Sequence, residues 1–139
     1  MSANAVLVDT HALLWWQAES PRLSRRAWAA IEAADQVLVS PISLWEVSML
    51  CTKQRVQLDR PVEAWVNDLL ALAARPAALS PRIAVLAGSL DDFHGDPADR
   101  IIYATAAVEQ LTLISKDQRM IDYAADRDAA GSSAVQVVW

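Results

Sequence analysis

The chain has 139 residues, 54% of them hydrophobic, and a formal net charge of −5. This length suits one domain with a sizeable core, and the apolar content excludes intrinsic disorder. The acidic balance disfavours a protein that coats nucleic acid through excess lysine and arginine.

Short apolar runs alternate with amphipathic stretches along the whole sequence. The first run, Ala5 to Val8, is continuous and β-branched, which is typical of a strand buried on both faces. Ser40 and Pro41 give a helix start, with serine as N-cap and proline at the first helical position. Helices are predicted at residues 11–18, 24–34, 41–53, 61–73, 81–90, 96–110 and 119–125. Strands are predicted at residues 5–8, 37–39, 77–80, 111–114 and 135–138, with a turn at 131–133.

This alternation predicts an α/β fold with three layers, in which helices cover both faces of a mostly parallel sheet of about five strands. No repeat or linker divides the sequence, so residues 1–139 are expected to form a single domain. The chain has three glycines, and it contains neither of the glycine-rich phosphate-binding motifs.

The sequence also indicates a compartment. One cysteine, Cys51, excludes an intramolecular disulfide framework and favours the reducing cytoplasm. Apolar runs are far shorter than the roughly 20 residues that a membrane helix needs. The N-terminus has no basic region before its first apolar stretch, so we expect no signal peptide and no membrane association.

Carboxylates follow the predicted strands and begin the predicted helices. Asp9 ends the first strand and Asp117 follows the strand at 111–114, so both are expected in the crevice at the carboxyl ends of a parallel sheet. Glu46 lies on an otherwise apolar helix face, where a buried glutamate needs a partner or a metal. Asp96 and Asp99 begin the helix after an acidic loop. Converging carboxylates favour Mg²⁺ or Mn²⁺ over zinc, and such ions support phosphodiester hydrolysis.

Each acid also has a structural interpretation. Asp96 and Asp99 fit an N-cap and an acid in the first helical turn, and Asp117 fits an N-cap for the last helix. Asp9 fits a turn, and Glu46 fits an exposed edge. The joint spacing of the four segments favours the metal site over these separate interpretations.

Four segments resemble the motifs of PIN-domain ribonucleases, in particular the VapC-type toxins of bacterial toxin–antitoxin pairs. They are VDTHALLW at 8–15, SPISLWE at 40–46, HGDPADRIIYATA at 94–106 and LTLISKD at 111–117. The resemblance covers essentially the whole chain, in the family's order and spacing.

The resemblance implies an Mg²⁺- or Mn²⁺-dependent endoribonuclease that leaves a 5′-phosphate through a metal-activated water. It implies catalytic and metal-binding roles for Asp9, Glu46, Asp99 and Asp117, with Asp96, Thr10 and Ser115 as secondary candidates. It also implies a VapB-type antitoxin as partner, and homodimerisation. The best candidates for contacts with RNA phosphates are Arg22, Arg25, Arg26, Lys53, Arg55, Lys116 and Arg119.

Other interpretations and other residues complete these expectations. A receiver-like regulatory domain is disfavoured because the first strand offers one acid, Asp9, where that class needs a pair. A PIN fold that has lost activity and binds only a partner is disfavoured by the presence of all four acids.

His11 is expected to make a structural hydrogen bond, and His94 to be a loop or packing residue. The nine acids against four bases in residues 91–139 carry the whole net charge, and only Asp99 and Asp117 among them are assigned.

Overall fold

The structure, a computed structural model, describes residues 4–131 and 134–139. Within these residues the strands are β1 (Ala5–Val8), β2 (Gln36–Val39), β3 (Arg75–Pro76), β4 (Thr112–Ile114) and β5 (Val137–Val138). The helices are α1 (Thr10–Gln17), α2 (Arg25–Ala33), α3 (Pro41–Thr52), α4 (Val62–Leu72), α5 (Pro81–Ser89), α6 (Pro97–Glu109) and α7 (Gln118–Ala129). None of the described helices is long and apolar enough to cross a bilayer.

The five strands form one sheet in the order β3-β2-β1-β4-β5, and every pairing is parallel. Val8, the last residue of β1, pairs with Val39 of β2 and with Ile114 of β4. The residues that follow these three strands, Asp9, Ser40 and Ser115, therefore lie along one edge of the sheet. The sheet confirms the predicted fold, and its register brings segments far apart in sequence to that edge.

Helices cover both faces of the sheet. Side chains of a strand alternate between faces, so Val6 and Val8 of β1 belong to one core cluster and Leu7 to another. The first cluster includes residues of α1, α2, α3 and α4, and the second includes residues of α6 and α7. A small third cluster joins α5 to α6. Burial on both faces is why β1 is a continuous apolar run.

Three predicted boundaries are wrong. The strand predicted at 77–80 is Arg75–Pro76, the last helix reaches Ala129, and the last strand is only Val137–Val138. β3 is a two-residue edge strand with both residues exposed, so it carries no hydrophobic pattern, and its proline is tolerated because an edge strand lacks one neighbour. Of the predicted turn at 131–133, Ser132 and Ser133 lie outside the described residues.

Candidate metal-binding cleft

A cleft of about 500 Å³ opens at the carboxyl edge of the sheet. It is built from the ends of β1 and β4, from α1, α3 and α7, from the start of α6, and from the segment between α1 and α2. Its lining residues are Asp9, Thr10, His11, Trp15, Arg22, Glu46, Asp96, Asp99, Lys116, Asp117 and Arg119. All four acids expected at the site therefore line one cavity, together with Asp96.

Asp9 is the most buried of these acids, with 7% of its surface exposed. As N-cap of α1 it accepts a hydrogen bond of 2.8 Å from the backbone N–H of Ala12. Its other oxygen accepts a hydrogen bond from the Ser115 hydroxyl, which itself accepts one from the backbone N–H of Asp117. Burial raises the pKa of Asp9 to about 6, because the hydrogen bonds to Ser115 and Ala12 only partly offset the loss of hydration.

Asp99 lies in the first turn of α6, and its Oδ2 atom is 2.7 Å from Nε2 of His94. The His94 ring stacks on Phe93 at a centroid distance of 4.3 Å. Burial raises the pKa of Asp99, and the hydrogen bond with His94 opposes that rise. His94 thus packs as expected, and it also holds a carboxylate of the cleft, a contact that the sequence interpretation missed.

Among the described residues, His94, Asp99 and Asp117 offer ligand atoms that all lie within 4.8 Å of one another. Asp9 and Glu46 line the same cleft but do not belong to this compact group. The structure therefore brings two of the four expected acids into mutual ligand range and adds a histidine to them. The sequence signal for His94 was weak, since it consisted only of a histidine five residues before Asp99.

Asp117 is held by Arg119. The carboxylate accepts hydrogen bonds from the backbone N–H of Arg119 at 2.9 Å and from its guanidinium at 3.1 and 3.3 Å. Burial acts to raise the pKa of Asp117, but the bonds from Arg119 outweigh it, so the pKa lies below its usual value. The same guanidinium lies 3.5 Å from Asp99, so one arginine spans two of the carboxylates.

The capping interpretations of Asp96 and Asp117 are correct as well, and Asp9, which was expected in a turn, also caps a helix. Asp9, Asp96 and Asp117 are the N-caps of α1, α6 and α7, and each accepts a backbone N–H. Asp96 accepts the N–H of Asp99 at 3.1 Å. A cap uses one lone pair of a carboxylate, which leaves others to face the cleft. Capping and ligand binding are therefore compatible, and capping fixes where the carboxylates point.

The residues of the cleft fit a hard divalent cation. All five acids offer oxygen ligands, and three arginine or lysine side chains, Arg22, Lys116 and Arg119, line the same cavity. Thr10 is 3% exposed, and within the described residues its hydroxyl has no hydrogen-bond partner. A buried polar group without a partner is rare and indicates an absent ligand or water.

Arg25 and Arg26, which were also expected to contact phosphates, do not line the cleft. They are exposed at the start of α2.

Arg100 is a residue whose role the sequence did not indicate. Its guanidinium donates to the backbone carbonyls of Ala87, Leu90, Phe93 and His94, and it thereby clamps the loop that carries His94 onto α6.

An all-parallel sheet between two helical layers, with a carboxylate-lined cleft at its carboxyl edge, defines an α/β/α domain with a candidate divalent-metal site. The family model for the PIN domain matches residues 6–126. The chain therefore belongs to the PIN domain family.

Known proteins agree with this assignment. The chain is 44% identical over 118 residues to Ribonuclease VapC22 of Mycobacterium tuberculosis, which covers 84% of the chain and 90% of that protein. A toxin–antitoxin complex from Klebsiella pneumoniae is similar at a TM-score of 0.58 and 25% identity, covering 81% of this chain and 86% of that one. VapBC2 from Rickettsia felis, bound to a promoter DNA fragment, has a TM-score of 0.64 at 11% identity over 96% of both chains, and it supports the fold alone.

Proposed function

We propose that the chain is a divalent-metal-dependent endoribonuclease and the toxin of a VapBC-type toxin–antitoxin pair. The observation that carries this proposal is the convergence of Asp9, Glu46, Asp96, Asp99 and Asp117 in one cleft. The 44% identity to a protein named as a ribonuclease supports RNA as the substrate. The orphaned Thr10 hydroxyl in the same cleft supports a ligand there.

The cation, Mg²⁺ or Mn²⁺, would be held by Asp9, Asp99, Asp117 and Glu46. Such an ion lowers the pKa of a bound water and offsets negative charge on the scissile phosphate. Asp99 and Asp117 offer carboxylate oxygens within 4.8 Å of each other. Asp9 is fixed by Ala12 and Ser115, so its orientation needs no rearrangement.

The remaining residues of the cleft are assigned to the substrate. Glu46, on α3, orients the attacking water or completes the ligand set. Asp96 is available to the metal through water. Lys116 and Arg22 are exposed at the cleft and are placed to bind the phosphates that flank the cleaved bond. No side chain acts as a covalent nucleophile.

The test is cleavage of a labelled RNA by the purified protein with Mg²⁺ or Mn²⁺, with EDTA, and after Asp9→Asn. We expect cleavage only by the wild-type protein with metal. Asp128→Asn, the same change at an exposed aspartate of α7, is the matched control and should cleave normally. Equal cleavage under all conditions would show that a contaminating nuclease or another site is responsible.

The alternative is a PIN domain that has lost activity and serves only as a binding module. Thermal denaturation with millimolar Mg²⁺ separates the two functions, because a ligand that binds the folded state alone raises Tm. Stabilisation that Asp9→Asn abolishes supports the nuclease. No stabilisation together with no cleavage supports the inactive domain.

The toxin role implies an antitoxin that covers the cleft, and we also propose a homodimer in the cytoplasm. The similar structure from Klebsiella pneumoniae, at 25% identity, is described as a toxin–antitoxin complex, which supports a partner of this kind. Co-expression with the product of a short adjacent reading frame should yield a complex in which RNA cleavage is suppressed. Light scattering of the chain alone tests the dimer.

A further inference from the structure

One group of side chains at the cleft contains a nitrogen donor as well as carboxylates. This group, called here the His94 group, consists of His94, Asp99 and Asp117, whose ligand atoms all lie within 4.8 Å of one another. Asp9 and Glu46 supply oxygens to the cleft but lie outside the group. The proposed Mg²⁺ or Mn²⁺ site uses the oxygens alone. The imidazole nitrogen therefore adds a donor that this function does not require.

An imidazole donor changes which divalent ions a site prefers. Carboxylate oxygens and water suit Mg²⁺ and Mn²⁺, whereas zinc readily accepts imidazole together with carboxylate. A zinc site that is open to solvent has three protein ligands of these kinds and a water in the fourth position. The one histidine and two aspartates of the His94 group match that number and that chemistry.

The spacing of the His94 group also suits zinc. Nε2 of His94 lies 2.7 Å from Oδ2 of Asp99. Tetrahedral zinc, with bonds of about 2.0–2.1 Å, keeps its ligand atoms about 3.3 Å apart. Since no pair in the group exceeds 4.8 Å, shifts of about 1.5 Å or less bring all three atoms into range. The side chains are partly exposed, so an ion can reach them from solvent.

A positive charge already lies against the two carboxylates of the group. One guanidinium nitrogen of Arg119 is 3.1 Å from Oδ2 of Asp117 and 3.5 Å from Oδ2 of Asp99. The Arg119 side chain is mostly exposed, so it can leave when an ion binds. The buried Thr10 hydroxyl, which lines the same cleft, has no partner within the described residues. Both observations indicate a place for a cation and its bound water.

The chain offers zinc few other nitrogen or sulfur ligands. It has two histidines and one cysteine. Cys51 packs against the first core cluster. His11 is exposed and lines the cleft, but it does not belong to the His94 group. His11 is therefore a matched control for His94.

We propose that His94, Asp99 and Asp117 bind Zn²⁺ through one imidazole nitrogen and two carboxylates. This site differs from the all-oxygen site of Mg²⁺ or Mn²⁺, because its ligands do not include Asp9 and Glu46. Zinc bound there occupies two of the four catalytic acids without the others, so it competes with Mn²⁺ and inhibits cleavage. The inhibition rests on the proposed nuclease function, whereas the binding of zinc does not.

Calorimetric titration of the purified protein compares its affinities for Zn²⁺ and Mn²⁺. Zinc exceeds manganese in affinity at most protein sites, so the informative quantity is the change in the ratio of the two affinities. His94→Gln keeps an N–H that can donate to Asp99 but loses the imidazole, and we expect the ratio to fall at least tenfold. His11→Gln should leave the ratio unchanged. Asp9→Asn should weaken the binding of Mn²⁺ more than that of Zn²⁺.

Imidazole ¹H–¹⁵N spectra give a readout that needs no RNA. Zn²⁺ should shift the Nε2 resonance of His94 and leave the ring of His11 in place. Mg²⁺, which prefers oxygen ligands, should shift His94 much less. The zinc shift should persist in Asp9→Asn, because that aspartate is not among the zinc ligands. No shift at His94, or a larger one at His11, would overturn the site.

RNA cleavage then separates this proposal from the function beneath it. Zinc should inhibit the Mn²⁺-dependent reaction, and His94→Gln should need at least tenfold more zinc for the same inhibition. If zinc supports cleavage as well as Mn²⁺ does, or if His94→Gln keeps the wild-type ratio of affinities, the separate zinc site is wrong and the nuclease stands. If no metal gives cleavage but zinc still shifts His94, the nuclease proposal fails and the zinc site stands.

Discussion

The Nε2 atom of His94 lies 2.7 Å from Oδ2 of Asp99, and both residues are held by the same helix. Asp99 is part of α6, and its neighbour Arg100 donates to the carbonyls of Phe93 and His94 at 3.0 and 3.3 Å. Stacking on Phe93 orients the imidazole ring. Asp99, a carboxylate of the candidate metal site, is therefore oriented by His94. The loop that carries His94 is in turn held by Arg100, the residue that follows Asp99.

Replacing His94 tests whether this orientation matters. His94→Ala leaves one oxygen of Asp99 without its partner, and loss of groups that orient metal ligands typically costs about tenfold to a hundredfold in metal affinity or activity. We expect a fall of that size in Mn²⁺ affinity, measured by calorimetry, and a parallel fall in RNA cleavage.

His94→Gln is the conservative comparison, because its amide N–H can donate to the carboxylate. Partial recovery with glutamine, at a Tm equal to that of the alanine variant, identifies the hydrogen bond as the cause. Full metal affinity in His94→Ala would contradict the role that we give this pair.

Arg100 should stabilise the whole loop between α5 and α6. It donates four hydrogen bonds to backbone carbonyls, and lysine cannot reproduce that planar set. Because hydrogen bonds of a charged group contribute about 1.5–3 kcal/mol and do not add fully, we expect Arg100→Ala to lower the free energy of unfolding in urea by about 2–4 kcal/mol. Arg82→Ala, an exposed arginine of α5, should change it little. Equal values for both variants would rule out the clamp.

Asp9 carries a stability cost that depends on pH. Its folded pKa of about 6 lies above the ordinary aspartate pKa of 3.8, so the folded state binds more protons than the unfolded state between these values. Stability from this group therefore falls as the pH rises from about 4 to 6, and the full cost, about 3 kcal/mol, is present above that window. A buried charge that lowers stability at neutral pH is understandable at a site that a cation would neutralise.

Asp9→Asn should remove this cost. In EDTA the variant should gain stability relative to wild type at pH 8, by up to several degrees in Tm, and the gain should disappear near pH 4. Asp128→Asn should show no pH-dependent difference from wild type. If Asp9→Asn is less stable than wild type at pH 8, the hydrogen bonds of Asp9 outweigh its burial and the raised pKa is wrong.

The sequence was sufficient for much of the fold, because the information was local. β1 is a continuous apolar run, which favours burial on both faces. Ser40 followed by Pro41 predicts a capped helix start, and the structure confirms Ser40 as the N-cap of α3. β3 could not be found in the same way. Two exposed residues at a sheet edge have no periodicity, and their pairing with β2 depends on tertiary structure.

The site shows the same limit. Asp9 and Asp117 could be placed together because parallel strands end at one edge. His94 could not, because its position depends on the Arg100 clamp, and the acceptors of that clamp are backbone carbonyls that leave no trace in the sequence. Three of the excess acids in residues 91–139 lie away from the site. Asp122, Asp126 and Asp128 are exposed on α7 and lie outside the cleft, so the net charge of the chain does not describe the charge of the site.

Arg119 should compete with the cation. Its guanidinium donates to oxygens of Asp117 and lies 3.5 Å from Asp99, and both carboxylates belong to the candidate metal site. Because the Arg119 side chain is 61% exposed, water and salt screen the pairing, and Arg119→Ala should therefore tighten Mn²⁺ binding by no more than about fivefold. Arg26→Ala removes the same charge from α2 without touching the cleft, and it should leave the affinity nearly unchanged. Calorimetry at low ionic strength measures the Mn²⁺ affinity of both variants. An equal gain in affinity in both would indicate an effect of net charge. Weaker binding in Arg119→Ala would mean that the arginine positions Asp117 for the metal instead of competing with it.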